Sequence, residues 1–265
     1  MSAVLAARGL STGYAGQPVV HELDFEVNEG EVVCLLGPNG AGKTTTMLAM
    51  SGELPPLAGE VEFDGQVTKA PLHRRARAGL SYVTEERSVF KGMTTRDNLK
   101  VARVDPSEAV ELFPELADRM NVRGGLLSGG EQQMLTLARA LVRKPRILLA
   151  DELSLGLAPL VVDRLLRAVR AAADERGTGV LMVEQHAHKA LKYSDRAIVM
   201  RRGRVVLDLT GEEARKRIGD VERAYLTSAG GDVERGEAEL EELGAEGETP
   251  AADDAPSGNA RPPAS

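Results

Sequence analysis

The sequence is poor in aromatic residues: its 265 residues include no tryptophan, four phenylalanines and four tyrosines. It also lacks an excess of positive charge, because 33 lysines and arginines face 40 acidic residues. Proteins that bind single-stranded nucleic acid stack bases on aromatic side chains, and nucleic-acid-binding domains in general carry a basic surface. The composition therefore argues against nucleic acid as a partner.

Cysteine and long apolar runs are equally scarce. Cys34 is the single cysteine, which excludes an internal disulfide or cysteine-based metal site, and its apolar strand predicts a small buried side chain. The longest apolar runs, such as residues 32–36 and 147–150, are far shorter than the roughly 18 residues that span a bilayer. The first residues lack the basic and apolar segments of a secretory signal. We expect a cytoplasmic protein that does not cross a membrane.

Residues 229–265 form an acidic tail. They contain ten aspartates and glutamates against two arginines, a net charge of −8, whereas the whole chain carries −7. The rest of the chain therefore carries a charge of about +1. The tail consists mainly of alanine, glycine, proline and acidic residues, which bury too little apolar surface to offset the entropy lost on ordering. The sequence predicts one folded domain over residues 1–228 and a disordered tail.

Strand-like and helix-like patterns alternate along the predicted domain. The predicted strands cover residues 19–27, 31–36, 60–63, 147–150, 179–183, 197–200 and 205–209. The predicted helices begin near residue 42, fill a segment from about residue 86 to residue 141, and cover residues 159–175. Strands that alternate with helices predict a parallel sheet covered on both faces, after a β-rich opening.

The strongest motif is Gly-Pro-Asn-Gly-Ala-Gly-Lys-Thr-Thr at residues 37–45, between a predicted strand and a predicted helix. It fits the phosphate-loop pattern G-x-x-x-x-G-K-[ST] in the context that the pattern requires. Its glycines let backbone N–H groups face a phosphate, and the helix N-terminus adds positive charge. Lys43 would reach the β- and γ-phosphates, and the Thr44 hydroxyl would coordinate Mg²⁺. A nucleoside triphosphate site is favoured over a chance glycine-rich turn.

Two carboxylates, Asp151 and Glu152, follow the apolar strand at residues 147–150. Ligand-binding residues of a doubly wound sheet lie at the carboxyl ends of its strands. Asp151 would hold Mg²⁺, and Glu152 would orient or deprotonate the attacking water. Taken alone, the pair could equally be the acidic first turn of a helix. Together with Lys43 upstream, it predicts hydrolysis.

The string Leu-Ser-Gly-Gly-Glu-Gln-Gln at residues 127–133 opens an amphipathic helix, where N–H groups and the Ser128 hydroxyl suit an anion or form an ordinary cap. With this string the chain resembles the ATP-binding cassette (ABC) family, over about residues 5–226. The resemblance implies an α/β P-loop NTPase fold with a RecA-like parallel-sheet core, an antiparallel β subdomain and a helical signature subdomain at about residues 86–141. It also implies that two such subunits enclose ATP between one phosphate loop and the other subunit's signature loop.

The resemblance assigns roles to further residues. Tyr14 matches the aromatic residue that stacks on adenine, and His186 matches the histidine that contacts the γ-phosphate. Glu85 stands where the family has a glutamine near the metal, so a carboxylate replaces an amide. The implied catalytic residues are Glu152 and His186, and the implied metal ligands are Thr44, Glu85 and Asp151. The implied ATP-binding residues are Tyr14, Gly37, Pro38, Asn39, Gly40, Ala41, Gly42, Lys43, Thr44, Thr45, Ser128, Gly129, Gly130 and Glu131.

Within the family, residues 83–90, 153–160 and 183–186 are similar to the LivF-type ATPases of branched-chain amino-acid importers. This similarity implies a position on the inner face of the cell membrane, beneath two permease subunits that receive solute from an external binding protein. It also implies a second ATPase subunit, identical or different. The main alternative is another solute, such as urea, another amino acid or a lipid-linked glycan. A non-transport ABC ATPase and a subunit that does not hydrolyse ATP are less favoured.

The chain departs from the family pattern at three places. Leu153 stands where the family usually has proline, which removes a restraint on the backbone beside Glu152. Ala158 occupies the usual position of an aspartate in the loop that follows. The helical segment at residues 98–126 is shorter than expected for the LivF type, which weakens the prediction of the solute.

Overall fold

The structure is a computed structural model that describes residues 2–184 and 187–226. His186 and residues 229–265 lie outside the described residues, so the roles and the disorder predicted for them stay predictions. No helix among the described residues combines the length and the apolar character needed to cross a membrane.

The described residues form ten strands and nine α-helices. The strands are β1 (Ala3–Tyr14), β2 (Gln17–Asn28), β3 (Val32–Leu36), β4 (Ala58–Phe63), β5 (Gln66–Val67), β6 (Leu80–Val83), β7 (Ile147–Asp151), β8 (Gly179–Val183), β9 (Arg196–Arg201) and β10 (Arg204–Thr210). The helices are α1 (Lys43–Ser51), α2 (Leu72–Arg77), α3 (Thr95–Val101), α4 (Pro106–Leu112), α5 (Gly129–Leu141), α6 (Pro159–Arg176), α7 (Ala187–Tyr193), α8 (Gly211–Lys216) and α9 (Ile218–Leu226).

A six-stranded sheet holds the predicted catalytic segments. Its strand order is β10-β9-β3-β8-β7-β6, with β10 antiparallel to β9 and all other neighbours parallel. Every residue of β3, β7 and β8 is buried, as expected for parallel strands covered on both faces. Because these strands run in the same direction, the residues that follow them meet at one edge of the sheet.

A smaller antiparallel sheet has the order β2-β1-β4-β5. Its two long strands, β1 and β2, are joined at Ala15 and Gly16, which have φ angles of 50° and 77°. Two positive φ angles match the twist of a tight hairpin. The turn brings Tyr14 opposite Gln17 at the end of the hairpin.

The segment predicted as helical from about residue 86 is a loop up to residue 94, and α3 begins only at Thr95. The buried side chain of Asn98 explains the difference. Its Oδ1 accepts from the Phe90 N–H at 2.8 Å, and its Nδ2 donates to the carbonyl oxygens of Phe90 at 3.1 Å and Thr94 at 2.9 Å. Such bonds between side chain and backbone replace the bonds of a helix. Residues 114–119 and 124–126 form short 3₁₀ turns.

The two faces of the large sheet contribute to two apolar clusters. Val32, Cys34 and Leu36 pack in a cluster that includes residues of α3 to α7, whereas Val33 and Leu35 pack in a cluster with α1 and the smaller sheet. Cys34 is fully buried, which raises the pKa of its thiol. The prediction that it serves as a small buried side chain is confirmed.

Substitution of Phe113, at the end of α4, tests how much packing in the helical region contributes to stability. Its side chain is fully buried, and the guanidinium carbon of Arg164 lies 5.0 Å from the centre of its ring. We expect Phe113→Ala to lower the free energy of unfolding by about 3–5 kcal/mol, because it opens a large cavity. Urea denaturation of the full chain measures the change. The control is Leu126→Ala at a residue that is 78% exposed, and an equal loss in both variants would contradict the prediction.

Candidate functional site

The loop between β3 and α1 turns at three glycines. Gly37, Gly40 and Gly42 have φ angles of 151°, 79° and 100°, which residues with a Cβ rarely adopt. Gly37 also lies against the backbone of β9, since a Cβ there would be 2.4 Å from the carbonyl oxygen of Met200. The sequence pattern of glycines therefore has a steric cause in this fold.

Lys43 begins α1 and turns its side chain back into this loop. The residue is only 5% exposed, and its Nζ donates to the carbonyl oxygens of Gly37 at 2.7 Å and Pro38 at 3.2 Å. Burial lowers the pKa of Lys43, while the carboxylates of Glu152 and Asp151 raise it. An ammonium group held inside such a loop suits the phosphates of a nucleotide.

The first turn of α1 has no internal counter-charge. Its N-cap, Gly42, offers no side-chain hydrogen bond, and the turn contains no acidic residue. Thr44 is exposed at this end of the helix, whereas Thr45 and Thr46 are buried. A helix N-terminus of this kind attracts an anion through its N–H groups and its dipole.

Asp151 lies at the carboxyl end of β7, next to the phosphate loop. It is 1% exposed, and its Oδ1 has no hydrogen-bond partner among the described residues. Burial and the charges of Glu152 and Glu85 raise the pKa of Asp151 to about 6, against a hydrogen bond from the Thr44 hydroxyl and the charge of Lys43. A buried carboxylate oxygen without a partner is expensive unless a cation completes the site.

The residues around Asp151 fit Mg²⁺ bound together with a nucleotide. The described residues contain no group of three or more His, Cys, Asp or Glu placed to hold a metal ion alone. Mg²⁺ usually binds through one or two carboxylates, with phosphate oxygens and water completing its shell. Asp151 and the Thr44 hydroxyl match this donor set. Glu85 is exposed in the loop after β6 and acts on Asp151 through its charge.

Glu152 follows Asp151 in an uncommon backbone conformation. Its φ angle is 50°, a region that costs a residue with a side chain about 1–3 kcal/mol. Its N–H donates to the carbonyl oxygen of Val183 at 2.9 Å, and its carbonyl oxygen accepts from the Leu155 N–H at 3.3 Å. Strain of this size persists where the surrounding structure imposes it, as at many active sites.

The signature loop ends in a capping box on α5. The Ser128 hydroxyl accepts from the Glu131 N–H at 3.3 Å, and a carboxylate oxygen of Glu131 accepts from the Ser128 N–H at 2.8 Å. The other oxygen of Glu131 accepts from Arg119 Nε at 2.6 Å. Glu131 therefore has a structural role at the helix N-terminus, and its contact with ATP stays a prediction. Gly129 and Gly130 begin the helix.

Arg87, in the loop after β6, contacts two other loops, and the sequence analysis assigned it no role. A Cβ on Gly129 would be 2.8 Å from Arg87 Nη1, so its guanidinium covers the start of α5. Arg87 Nη2 also donates to the carbonyl oxygen of Leu155 at 3.4 Å. This one side chain contacts the signature loop and the loop after β7 from the loop that carries Glu85.

Tyr14 is 50% exposed at the end of β1. The hairpin that carries it packs on the phosphate loop, since a Cβ on Gly42 would be 2.9 Å from Val20 Cγ2. The Gly203 N–H, in the β9–β10 turn, donates to the Ala41 carbonyl oxygen at 2.9 Å on the same loop. An exposed ring at the end of a hairpin that packs on the phosphate loop is compatible with stacking on adenine.

Comparison with known proteins identifies the family. A family model described as "ABC transporter" matches residues 20–154. The high-affinity branched-chain amino acid transport ATP-binding protein BraG of Pseudomonas aeruginosa is 38% identical, over 76% of this chain and 91% of its own length. The lipopolysaccharide export system ATP-binding protein LptB of Escherichia coli K12 is 36% identical, over 84% of this chain and 97% of its own length.

A solved structure of an ATP-binding subunit of an ABC transporter has the same fold. It superimposes with a TM-score of 0.70 and 28% identity, and the match covers 82% of this chain and 93% of that chain. The parallel core, the antiparallel sheet and the helical region thus agree with the predicted fold class. This chain belongs to the ABC transporter family and is one of its ATP-binding, ATP-hydrolysing subunits.

Proposed function

We propose that this chain supplies ATP hydrolysis to an importer of branched-chain amino acids. One observation supports hydrolysis above all others. The buried ammonium of Lys43, the unpartnered oxygen of Asp151 and the strained residue Glu152 belong to segments that meet at one edge of the large sheet. The similarity to BraG supports the choice of solute.

In the proposed mechanism, ATP lies with its phosphates on residues 37–45 and its adenine against Tyr14. Thr44 and Asp151 would hold Mg²⁺, with Glu85 nearby, and the ion would offset the negative charge of the phosphates. Glu152 orients a water molecule and accepts its proton. The water oxygen forms a bond to the γ-phosphorus, the bond to the β–γ bridging oxygen breaks, and ADP and phosphate result.

Other residues would complete the site in an assembly. A second ATPase subunit, identical or different, would place its signature loop on the γ-phosphate, and Ser128, Gly129 and Gly130 would do the same for the partner's ATP. The predicted role of His186 is to stabilise the charge on the γ-phosphate. Two permease subunits and an external solute-binding protein would handle the solute, with this chain on the inner face of the cell membrane.

Lipopolysaccharide export is the second candidate for the process that this chain drives. The match to LptB extends over a larger share of both chains than the match to BraG, at nearly the same identity. The solute does not contact an ATPase subunit in the proposed assembly, so the described residues carry no direct record of it. Transport measurements must therefore decide between the two.

We expect cells that depend on this chain to lose leucine uptake when it carries Glu152→Gln. An inactive ATPase subunit blocks the transport cycle, so uptake of radiolabelled leucine should fall at least about tenfold. Uptake of an unrelated amino acid serves as the control. Unchanged leucine uptake with loss of lipopolysaccharide from the cell surface would contradict import and support the second candidate.

A further inference from the structure

Glu184, which directly follows β8, is a buried acidic residue to which the proposed mechanism gives no role. It is 2% exposed. Its Oε2 accepts a hydrogen bond from the Ser154 hydroxyl, and its Oε1 has no partner among the described residues. A carboxylate so far from water is costly unless a specific donor holds it. The donor therefore indicates what this residue holds in place.

The donor to Glu184 comes from the turn that follows Glu152: it is the Ser154 hydroxyl. Burial raises the pKa of Glu184 to about 7, while the hydrogen bond from Ser154 lowers it. Leu153 and Ser154 are themselves buried.

This arrangement restrains Glu152 from two sides. On one side the Glu152 N–H donates to the carbonyl oxygen of Val183, at 2.9 Å. On the other side the hydroxyl of Ser154, two residues after Glu152, donates to the carboxylate of Glu184, the residue after Val183. Glu152 has a φ angle of 50°, and a residue in this region stays there only when its neighbours impose it.

We propose that Glu184 is a positioning residue that, through Ser154, fixes the backbone of Glu152 in the conformation used for hydrolysis. The inference rests on the proposed role of Glu152. It predicts that loss of the contact lowers the rate of the chemical step, whereas ATP binding and folding depend on it much less. If Glu184 served folding alone, loss of the contact would lower the stability of the protein and the number of sites that bind ATP. The turnover at each ATP-binding site would not change.

The test compares Ser154→Thr with Ser154→Val in the purified full chain. The two side chains have nearly the same shape, but only threonine keeps the hydroxyl that donates to Glu184. We measure kcat per ATP-binding site, the Kd for a fluorescent ATP analogue and the Tm. We expect kcat of the valine variant to be at least about tenfold below that of the threonine variant, because small misplacements of a catalytic group slow chemistry strongly. Their Kd values should agree within about twofold.

Glu152→Gln completes the experiment. Equal kcat per competent site in the threonine and valine variants would overturn the proposal. If Glu152→Gln itself turns over normally, the proposed function of Glu152 fails, and the positioning role fails with it.

Discussion

Glu152→Gln is expected to lower ATP turnover by about 100- to 10,000-fold while ATP binding stays within about twofold of the native chain. The carboxylate follows β7 directly, beside Asp151, and its charge acts on Lys43 inside the phosphate loop. An amide keeps the size of the side chain but cannot accept a proton from water. Phosphate release measures turnover, and a fluorescent ATP analogue measures binding.

The matched control for this prediction is Glu111→Gln. Glu111 is exposed on α4, outside the candidate site, so the same loss of charge there should leave turnover within about twofold. Near-normal turnover of Glu152→Gln would contradict the catalytic role proposed for Glu152. Weakened ATP binding in that variant would instead mean that this carboxylate shapes the nucleotide site.

Lys43→Ala is expected to weaken ATP binding by about tenfold to a hundredfold or more, because a charged hydrogen bond contributes about 1.5–3 kcal/mol. The side chain has a second role, since its Nζ donates to the carbonyl oxygens of Gly37 and Pro38. Lys43→Met separates the two roles, because it fills the space inside the loop without the charge. Titration with labelled ATP measures the Kd for each variant.

For this second prediction, Lys100→Ala is the control, because Lys100 is exposed on α3. Its Kd should match that of the native chain. Native affinity in Lys43→Ala would refute the contact between Lys43 and the phosphates. A loss in the alanine variant that methionine restores would show that the loop needs the volume of the side chain more than its charge.

The sequence predicted the buried strands of the large sheet almost to the residue. The segment 179–183 is β8, and the run at 147–150 lacks only Asp151 of β7. Strands buried on both faces appear as short continuous apolar runs, which are easy to delimit. The phosphate loop was equally easy to predict from the sequence, because backbone angles and the close approach of β9 require its glycines.

Elements without such a pattern were missed or misplaced. The helices α8 and α9 were not predicted, and the loop at about residues 86–94 was predicted to be helical. A tertiary contact of Asn98 decides the conformation of that loop, and propensity cannot reveal it. The contact between Ser154 and Glu184 was hidden for the same reason, since the two residues lie 30 positions apart in the chain.

Because its only cysteine is buried, this protein is suited to site-specific labelling at introduced cysteines. Cys34 is fully buried in β3, and burial disfavours its thiolate, the form that reacts with labelling reagents. The native chain therefore serves directly as a background for site-specific spectroscopy. A cysteine introduced at the exposed Leu160, in the first turn of α6, would be the only reactive thiol. A spin label or fluorophore there would report changes around this end of α6 as ATP is added.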